Sequence, residues 1–222
     1  ANGCHTNVSL WKGGDLKSTP IGNKVLPGMD QVFTHISGGE NMFMPDPKID
    51  PVKPGPIGLY SIGGLLKHLP ALTCLGSPTV NSYRRLWDTG FWAPVYADWG
   101  YQNRTCSVRV SAPGRVEYRS VDSSHNPYLM GAGILKAFAD GLDNKINPGE
   151  PEKKNIYDAM KGGKEVEKLP MTLGEAIERL DSDDVIKSAL PEDMLRVFMH
   201  YKKDEWEKFL SAVTQWDVDT YL

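Results

Sequence analysis

No apolar run in this sequence approaches the roughly 18 residues that a membrane-spanning helix needs, so no span is expected. No signal-peptide pattern is read at its start either. Cysteine is scarce. Cys4, Cys74 and Cys106 are few, odd in number and far apart. They give neither a disulfide framework nor metal-site spacing, and they fit a reducing compartment. Charge of one sign is lacking too. A net charge of −3 makes no global case for a nucleic-acid or anionic-membrane partner. There is no internal repeat, no Walker motif and no G-x-G-x-x-G opening a helix, which excludes a P-loop or Rossmann site. A start methionine is missing as well. "ANGCHTNVSL" begins inside what reads as a strand, and the chain is expected to be the C-terminal part of a longer, trimmed or cleaved protein.

What is present is an ordinary globular composition over 222 residues, with 40% hydrophobic and 24% charged positions. "HTNVSLW" alternates, placing His5, Asn7, Ser9 and Trp11 on one face of a strand. Residues 12 to 56 are rich in Gly and Pro and read as a long ordered loop or insertion. "IGLYSIGGLLKHL" (57–69) predicts a helix stopped at Pro70, and residues 77–95 an irregular or active loop. "PVYADWG", "CSVRV" and "RVEYR" read as strands. Helices are expected from Pro127 to Asp140, ended by Gly141; over 172–180, opened by a Thr-x-x-Glu capping box; and from Pro191 to Val213, kinked near 202–204. Strands first and helices later suggest an α+β fold.

The chemistry sits in the strands. In "GRVEYRS", Arg115, Glu117 and Arg119 share one face, opposite Val116 and Tyr118. Arg109 lies on the face of "CSVRV" that also carries Ser107, and Asn103-Arg104 precede that strand. If these strands are neighbours, four arginines, a carboxylate and the His5 imidazole converge. Arginine forks bind phosphate or carboxylate oxygens bidentately. A His with a Glu can hold Mg²⁺ or Mn²⁺ at nucleotide phosphates. The inferred chemistry is phosphoryl transfer.

"SPTVNSYRRL", "APVYADWGYQNRTCSVRV" and "RVEYRSVDSSHNPYL" together resemble the catalytic half of glutamine synthetase, and the likeness runs on through "GLDNKINPGEP" and "KKNIYD" to the C-terminus. It covers nearly the whole chain except roughly residues 12 to 56. The resemblance implies an antiparallel, half-barrel active-site sheet with helices packed around it. It implies ATP with Mg²⁺ (or Mn²⁺), L-glutamate and a small amine as partners, a cytoplasmic homododecamer, and active sites shared between subunits. By position, His5 and Glu117 match ligands of one cation and Ser9 a nucleotide contact. Arg104, Arg109 and Arg115 match a phosphate clamp; since strand parity would turn Arg104 away from Arg109, that role implies that Arg104 lies in the turn before the strand. Arg85 and Arg119 match residues that hold glutamate and its transferring phosphoryl group. The implied reaction makes γ-glutamyl phosphate and ADP, and an amine then displaces phosphate to form an amide.

One loop departs from the pattern. Ammonium-using members read approximately R-L-x-P-G-Y-E-A-P, whereas this chain has "RLWDTGFWAP", one residue longer. Anchored on Ala93-Pro94, Trp92 stands where the family has the glutamate that accepts the ammonium proton. Trp cannot accept a proton, but it offers an apolar wall and a π-face to an alkylammonium group. Methylamine is therefore the expected amine, as in the γ-glutamylmethylamide synthetase branch. The alternatives are a shifted loop in which Asp88 supplies the carboxylate for ammonium, and an inactive structural family member. The rest of the implied metal shell and amine pocket is expected upstream of Ala1, so the chain alone should be inactive. Tyr157 aligns with a tyrosine that some bacterial members adenylylate, but its flanks differ and an ordinary tyrosine is expected. His35, His68, His125 and His200 are expected to be structural or solvated, and Asp181, Asp183 and Asp184 an exposed turn.

Overall fold

The protein is described from a computed structural model, which gives residues 2–20, 31–87 and 93–222, with the backbone alone for 15–20 and 31–37. It is an α+β fold. β1 (Thr6–Val8), β6 (Trp99–Tyr101), β7 (Val108–Ala112) and β8 (Arg115–Tyr118) form one sheet in the order β1-β8-β7-β6. β1 and β7 run antiparallel to β8, which lies between them. β7 and β8 join through Pro113-Gly114, where Gly114 takes φ +79 in a turn that disfavours any side chain.

An antiparallel sheet was expected, but this one is mixed, because β6 pairs with β7 in parallel. Parallel neighbours usually need a crossover of a dozen or so residues. Here residues 102–107 suffice because the turn doubles back tightly, beginning at Gln102, whose φ is +51. The expected strand at 94–100 is also divided. Its first part leaves the sheet and pairs with 167–169, through Tyr96 opposite Lys168 and the Leu169 N–H donating to the Val95 carbonyl.

The expected strand through Trp11 breaks after Val8. β2 (Trp11–Lys12) pairs instead with β5 (Glu40–Asn41), and β3 (Asp15–Pro20) pairs with β4 (Gln31–Ser37). The segment read as a long loop thus contains two antiparallel ladders, hidden by the Gly and Pro residues between them.

α1 (Pro56–Gly76) runs straight through Pro70. An interior proline removes one helix hydrogen bond and costs about 3 kcal/mol. Burial offsets this: Leu65, Leu69 and Leu72 are fully buried, and each such side chain contributes roughly 1.5–3 kcal/mol. α2 (Pro127–Asp143) packs along α1 and extends past Gly141. That glycine is a contact rather than a stop: a Cβ there would sit 2.2 Å from the Tyr60 carbonyl oxygen of α1.

α3 (Ile156–Lys161), α4 (Leu173–Asp181) and α5 (Asp184–Lys187) follow, then α6 (Glu192–Ser211) and α7 (Gln215–Tyr221). α6 is helical throughout 202–204, where a kink was expected. Thr172 caps α4 by accepting from the Glu175 N–H, but the Glu175 carboxylate accepts from the Met171 N–H rather than closing the capping box on Thr172. Val108, Val110, Val116 and Tyr118, all at most 2% exposed, form the core face of the sheet. Their alternation sends Arg109 and Glu117 to the other side.

His68 is buried and ties the helices together. Its Nδ1 lies 2.6 Å from Asp183 Oδ2 and its Nε2 2.9 Å from Asp140 Oδ2. Asp183 also caps α5 at the Ile186 N–H. It is therefore not part of a merely exposed acidic turn, since the cap and the imidazole hold its carboxylate inward.

Candidate active site

Strand register assembles the site. Asn7 pairs with Glu117 on one side of β8, and Arg109 pairs with Glu117 on the other. His5 and Arg119 therefore meet at one end of the same face. Glu117 is 5% exposed and Arg119 4%. The Glu117 carboxylate accepts from Arg109 Nη1 at 2.8 Å on Oε2 and from Arg119 Nη1 at 3.2 Å on Oε1. His5 Nδ1 lies 3.1 Å from Glu117 Oε1 and 3.3 Å from Arg119 Nη1. Arg119 also donates to the carbonyls of Cys106, at 3.2 Å, and Arg104, at 2.7 Å.

Arg85 reaches the same place from the 3-10 helix Val80–Leu86. A Cβ on Gly3 would meet both His5 Nε2, at 3.0 Å, and Arg85 Nη1, at 3.2 Å, so the two groups flank one glycine. Arg85 Nη2 donates to the Val121 carbonyl at 3.3 Å. Among the described residues, the Nε groups of Arg85 and Arg109 are buried without a hydrogen-bond partner. An anion's oxygens would satisfy such donors.

The remaining expected residues stand farther out. Arg104 is exposed in the turn before β7, where it was expected, and joins the cluster through its carbonyl rather than its guanidinium. Arg115 is exposed, with Nε donating to Ser111 Oγ at 3.1 Å. It lies two positions, roughly 7 Å of strand, from Glu117. Ser9 follows the end of β1, and its hydroxyl accepts from Trp11 Nε1 at 2.9 Å. Trp92 and Asp88 lie outside the described residues.

Burial lowers the pKa of His5, Arg119 and Arg85. For His5 the Arg119 charge adds to this, while Glu117 opposes it. A neutral imidazole beside a carboxylate is a competent donor pair for a hard or borderline divalent cation. The pair is two donors only. Among the described residues no group of three His, Cys, Asp or Glu could hold a metal. His5 and Glu117 therefore fit part of a metal shell, and a cation on Glu117 would compete with the two guanidinium groups.

Strand alternation did not reveal Gln102 or Asn103. Gln102 Oε1 accepts from Arg109 Nη2 at 2.6 Å. Asn103 Oδ1 accepts from the Thr105 N–H and hydroxyl. Only the position of the pair, in the link before an arginine-bearing strand, could have drawn attention to them. Tyr157 is half-buried, with its hydroxyl on the Ala93 carbonyl, and burial pushes it up to about 12. That is an ordinary packing role.

The family model for the glutamine synthetase catalytic domain matches residues 28–221. A glutamine synthetase of Pyrococcus furiosus is 37% identical over the whole of this chain and 47% of its own length. One from Thermotoga maritima is 43% identical over 75% of this chain and 40% of its own. A solved structure described as "GmaS/ADP complex-Conformation 1" superposes with a TM-score of 0.80 at 32% identity, covering 99% of this chain and 46% of the other. The chain thus spans about half the length of the curated relatives it matches. It belongs to the glutamine synthetase family, through that family's catalytic domain.

Proposed function

We propose that this chain carries one part of the active site of an ATP-dependent ligase that joins the γ-carboxylate of L-glutamate to a small amine, with methylamine preferred. The observation that supports it most is the Glu117 carboxylate flanked by Arg109, Arg119 and the His5 imidazole on one sheet face. Two anions, a carboxylate and a triphosphate, must be brought together for the reaction. Preorganised guanidinium groups in a partly water-excluded site offset that repulsion.

In this reading the γ-carboxylate oxygen attacks the ATP γ-phosphorus and ADP leaves. The amine nitrogen then attacks the activated carbonyl carbon. The C–O bond to phosphate breaks, and the attacking amine gives up one N–H proton to solvent while the amide keeps the other. Arg85 and Arg119 hold glutamate and the transferring phosphoryl group. Arg104, Arg109 and Arg115 line the nucleotide phosphates, and Ser9 contacts the nucleotide. His5 and Glu117 would hold Mg²⁺ or Mn²⁺, which when bound neutralises phosphate charge.

Methylamine is favoured by Trp92 in the flap position of the family's proton-accepting glutamate and by the likeness to structures named GmaS. The second reading, ammonium, is favoured by the curated relatives named glutamine synthetase. Further parts of the proposal are a preceding segment supplying the other metal ligands, the amine pocket and the rest of a half-barrel, a homododecamer with shared sites, and a cytoplasmic location. Three free cysteines suit that compartment. Steady-state phosphate release by the naturally expressed protein, with methylamine against ammonium, tests the amine. A higher kcat/KM for methylamine is expected, and a strong ammonium preference would overturn the choice.

A further inference from the structure

We infer that Gln102 and Asn103 are positioning residues that set the two arginines on either side of Glu117. The inference rests on the ligase reading above. Arg109 and Arg119 both donate to one carboxylate, yet their like charges repel each other. Glu117 alone would leave each guanidinium free to pivot. Each has a second anchor, and both anchors come from the turn that links β6 to β7.

Gln102 holds Arg109. Its Oε1 takes Arg109 Nη2 at 2.6 Å, while its Nε2 donates to the Ser111 carbonyl. The second bond fixes which end of the amide faces the arginine. A carboxylate in its place would oppose the Ser111 oxygen. The Gln102 backbone sits at φ +51, where a residue with a Cβ is strained, and glycine would be at ease. Local strain at a residue whose side chain aims a charged group is a pattern of functional sites.

Asn103 holds the socket of Arg119. Its Oδ1 accepts from the Thr105 N–H at 3.0 Å and hydroxyl at 2.7 Å, closing the turn that presents the Arg104 and Cys106 carbonyls to Arg119. Its Nδ2 donates to the Glu152 carbonyl, at 3.2 Å, and the Lys154 carbonyl, at 2.8 Å. Thr105 Oγ1 in turn accepts from the Ile156 N–H at 3.0 Å. The wall behind the turn is itself pinned, because Lys164 Nζ bridges Glu152 and Asp98 at 2.7 and 2.8 Å. The two adjacent residues thus divide the task, one aiming the arginine assigned to nucleotide phosphate and the other the arginine assigned to the transferring group.

Gln102→Gly separates aiming from folding, since it relieves the strained backbone while removing the amide. In the naturally expressed protein it should raise the KM for ATP about tenfold, the usual effect of losing a hydrogen bond to a charged group. The midpoint of thermal unfolding should be unchanged or higher. Asn103→Asp keeps the bonds from Thr105 and loses both donated bonds. It should lower kcat at least about tenfold with little change in the KM for ATP. A wild-type KM in Gln102→Gly, or a KM rise accompanied by a lower unfolding midpoint, would overturn the role of Gln102. A wild-type kcat in Asn103→Asp would overturn that of Asn103. Absence of ATP binding by the wild-type protein would overturn the ligase reading itself, and this inference with it.

Discussion

Arg109 and Glu117 face each other across the β7–β8 ladder, and Arg109 Nη1 donates to Glu117 Oε2 at 2.8 Å. On the far side of the same carboxylate stand Arg119 and His5. A cation held by Glu117 must therefore share it with two guanidinium groups. Glu117→Gln should weaken Mn²⁺ binding by about tenfold or more, read by electron paramagnetic resonance titration. It also leaves two arginines without their counter-ion, and breaking such a buried pair costs roughly 3–5 kcal/mol of stability. Unaltered Mn²⁺ affinity would remove Glu117 from the metal shell.

Among the described residues, Arg119 donates to acceptors that include Glu117 Oε1 and the carbonyls of Cys106 and Arg104. Lysine keeps the charge but has no planar fork to reach all three. Arg119→Lys should lower kcat by about 100-fold or more, measured as glutamate-dependent phosphate release. Activity within a few-fold of wild type would mean that charge alone suffices at this position.

The His68 clamp predicts a pH-dependent stability unrelated to catalysis. Burial pulls the imidazole down, but its hydrogen bonds to Asp183 and Asp140 outweigh this and raise its pKa above the ordinary 6.5. The two carboxyl groups are desolvated as well, yet bonding to His68, with Lys67 on Asp140, holds both below the ordinary 3.8. A raised histidine contributes fully below its unfolded value, and the contribution fades as pH climbs through the folded one. The depressed aspartates contribute above 3.8, and that part is lost on acidification. The stability gap between wild type and His68→Gln, about 1–3 kcal/mol, should be widest near pH 4 to 6.5 and shrink on either side. Urea midpoints taken across pH 3 to 9 would show this; a gap that stays constant from pH 5 upward would refute it.

If Trp92 sets the amine, as proposed above, Trp92→Glu supplies a carboxylate that can accept the ammonium proton. The ratio of kcat/KM for ammonium over methylamine should rise by about tenfold or more. No change in that ratio, determined with both amines on both proteins, would leave Trp92 without a part in amine choice.

Some of this was legible from residues alone. Alternation in "RVEYRS" put Glu117 between two arginines on one face, with Val116 and Tyr118 behind, because a two-residue period follows directly from strand geometry. What alternation cannot carry is register. Nothing in the local pattern says that Arg109, rather than its neighbours, lies opposite Glu117. Nor does it reveal a parallel β6, because the short link of 102–107 argues for the opposite. Pro70 misled for a different reason: the local rule was sound, but tertiary burial of α1 outweighed it. Gln102 and Asn103 act through contacts that close only when the turn folds back, so no period marks them. Gly141 ends no helix, because its lack of a Cβ is needed against Tyr60.

The most direct test follows an oxygen atom. L-Glutamate labelled with ¹⁸O in its γ-carboxylate is turned over with ATP, Mg²⁺ and methylamine by the naturally expressed protein, and the released inorganic phosphate is analysed by mass spectrometry. If glutamate is activated as an acyl phosphate between Arg85, Arg119 and the cation at His5 and Glu117, one labelled oxygen appears in phosphate for each amide formed. Amide formation with unlabelled phosphate, or phosphate release that does not depend on glutamate, would contradict the account.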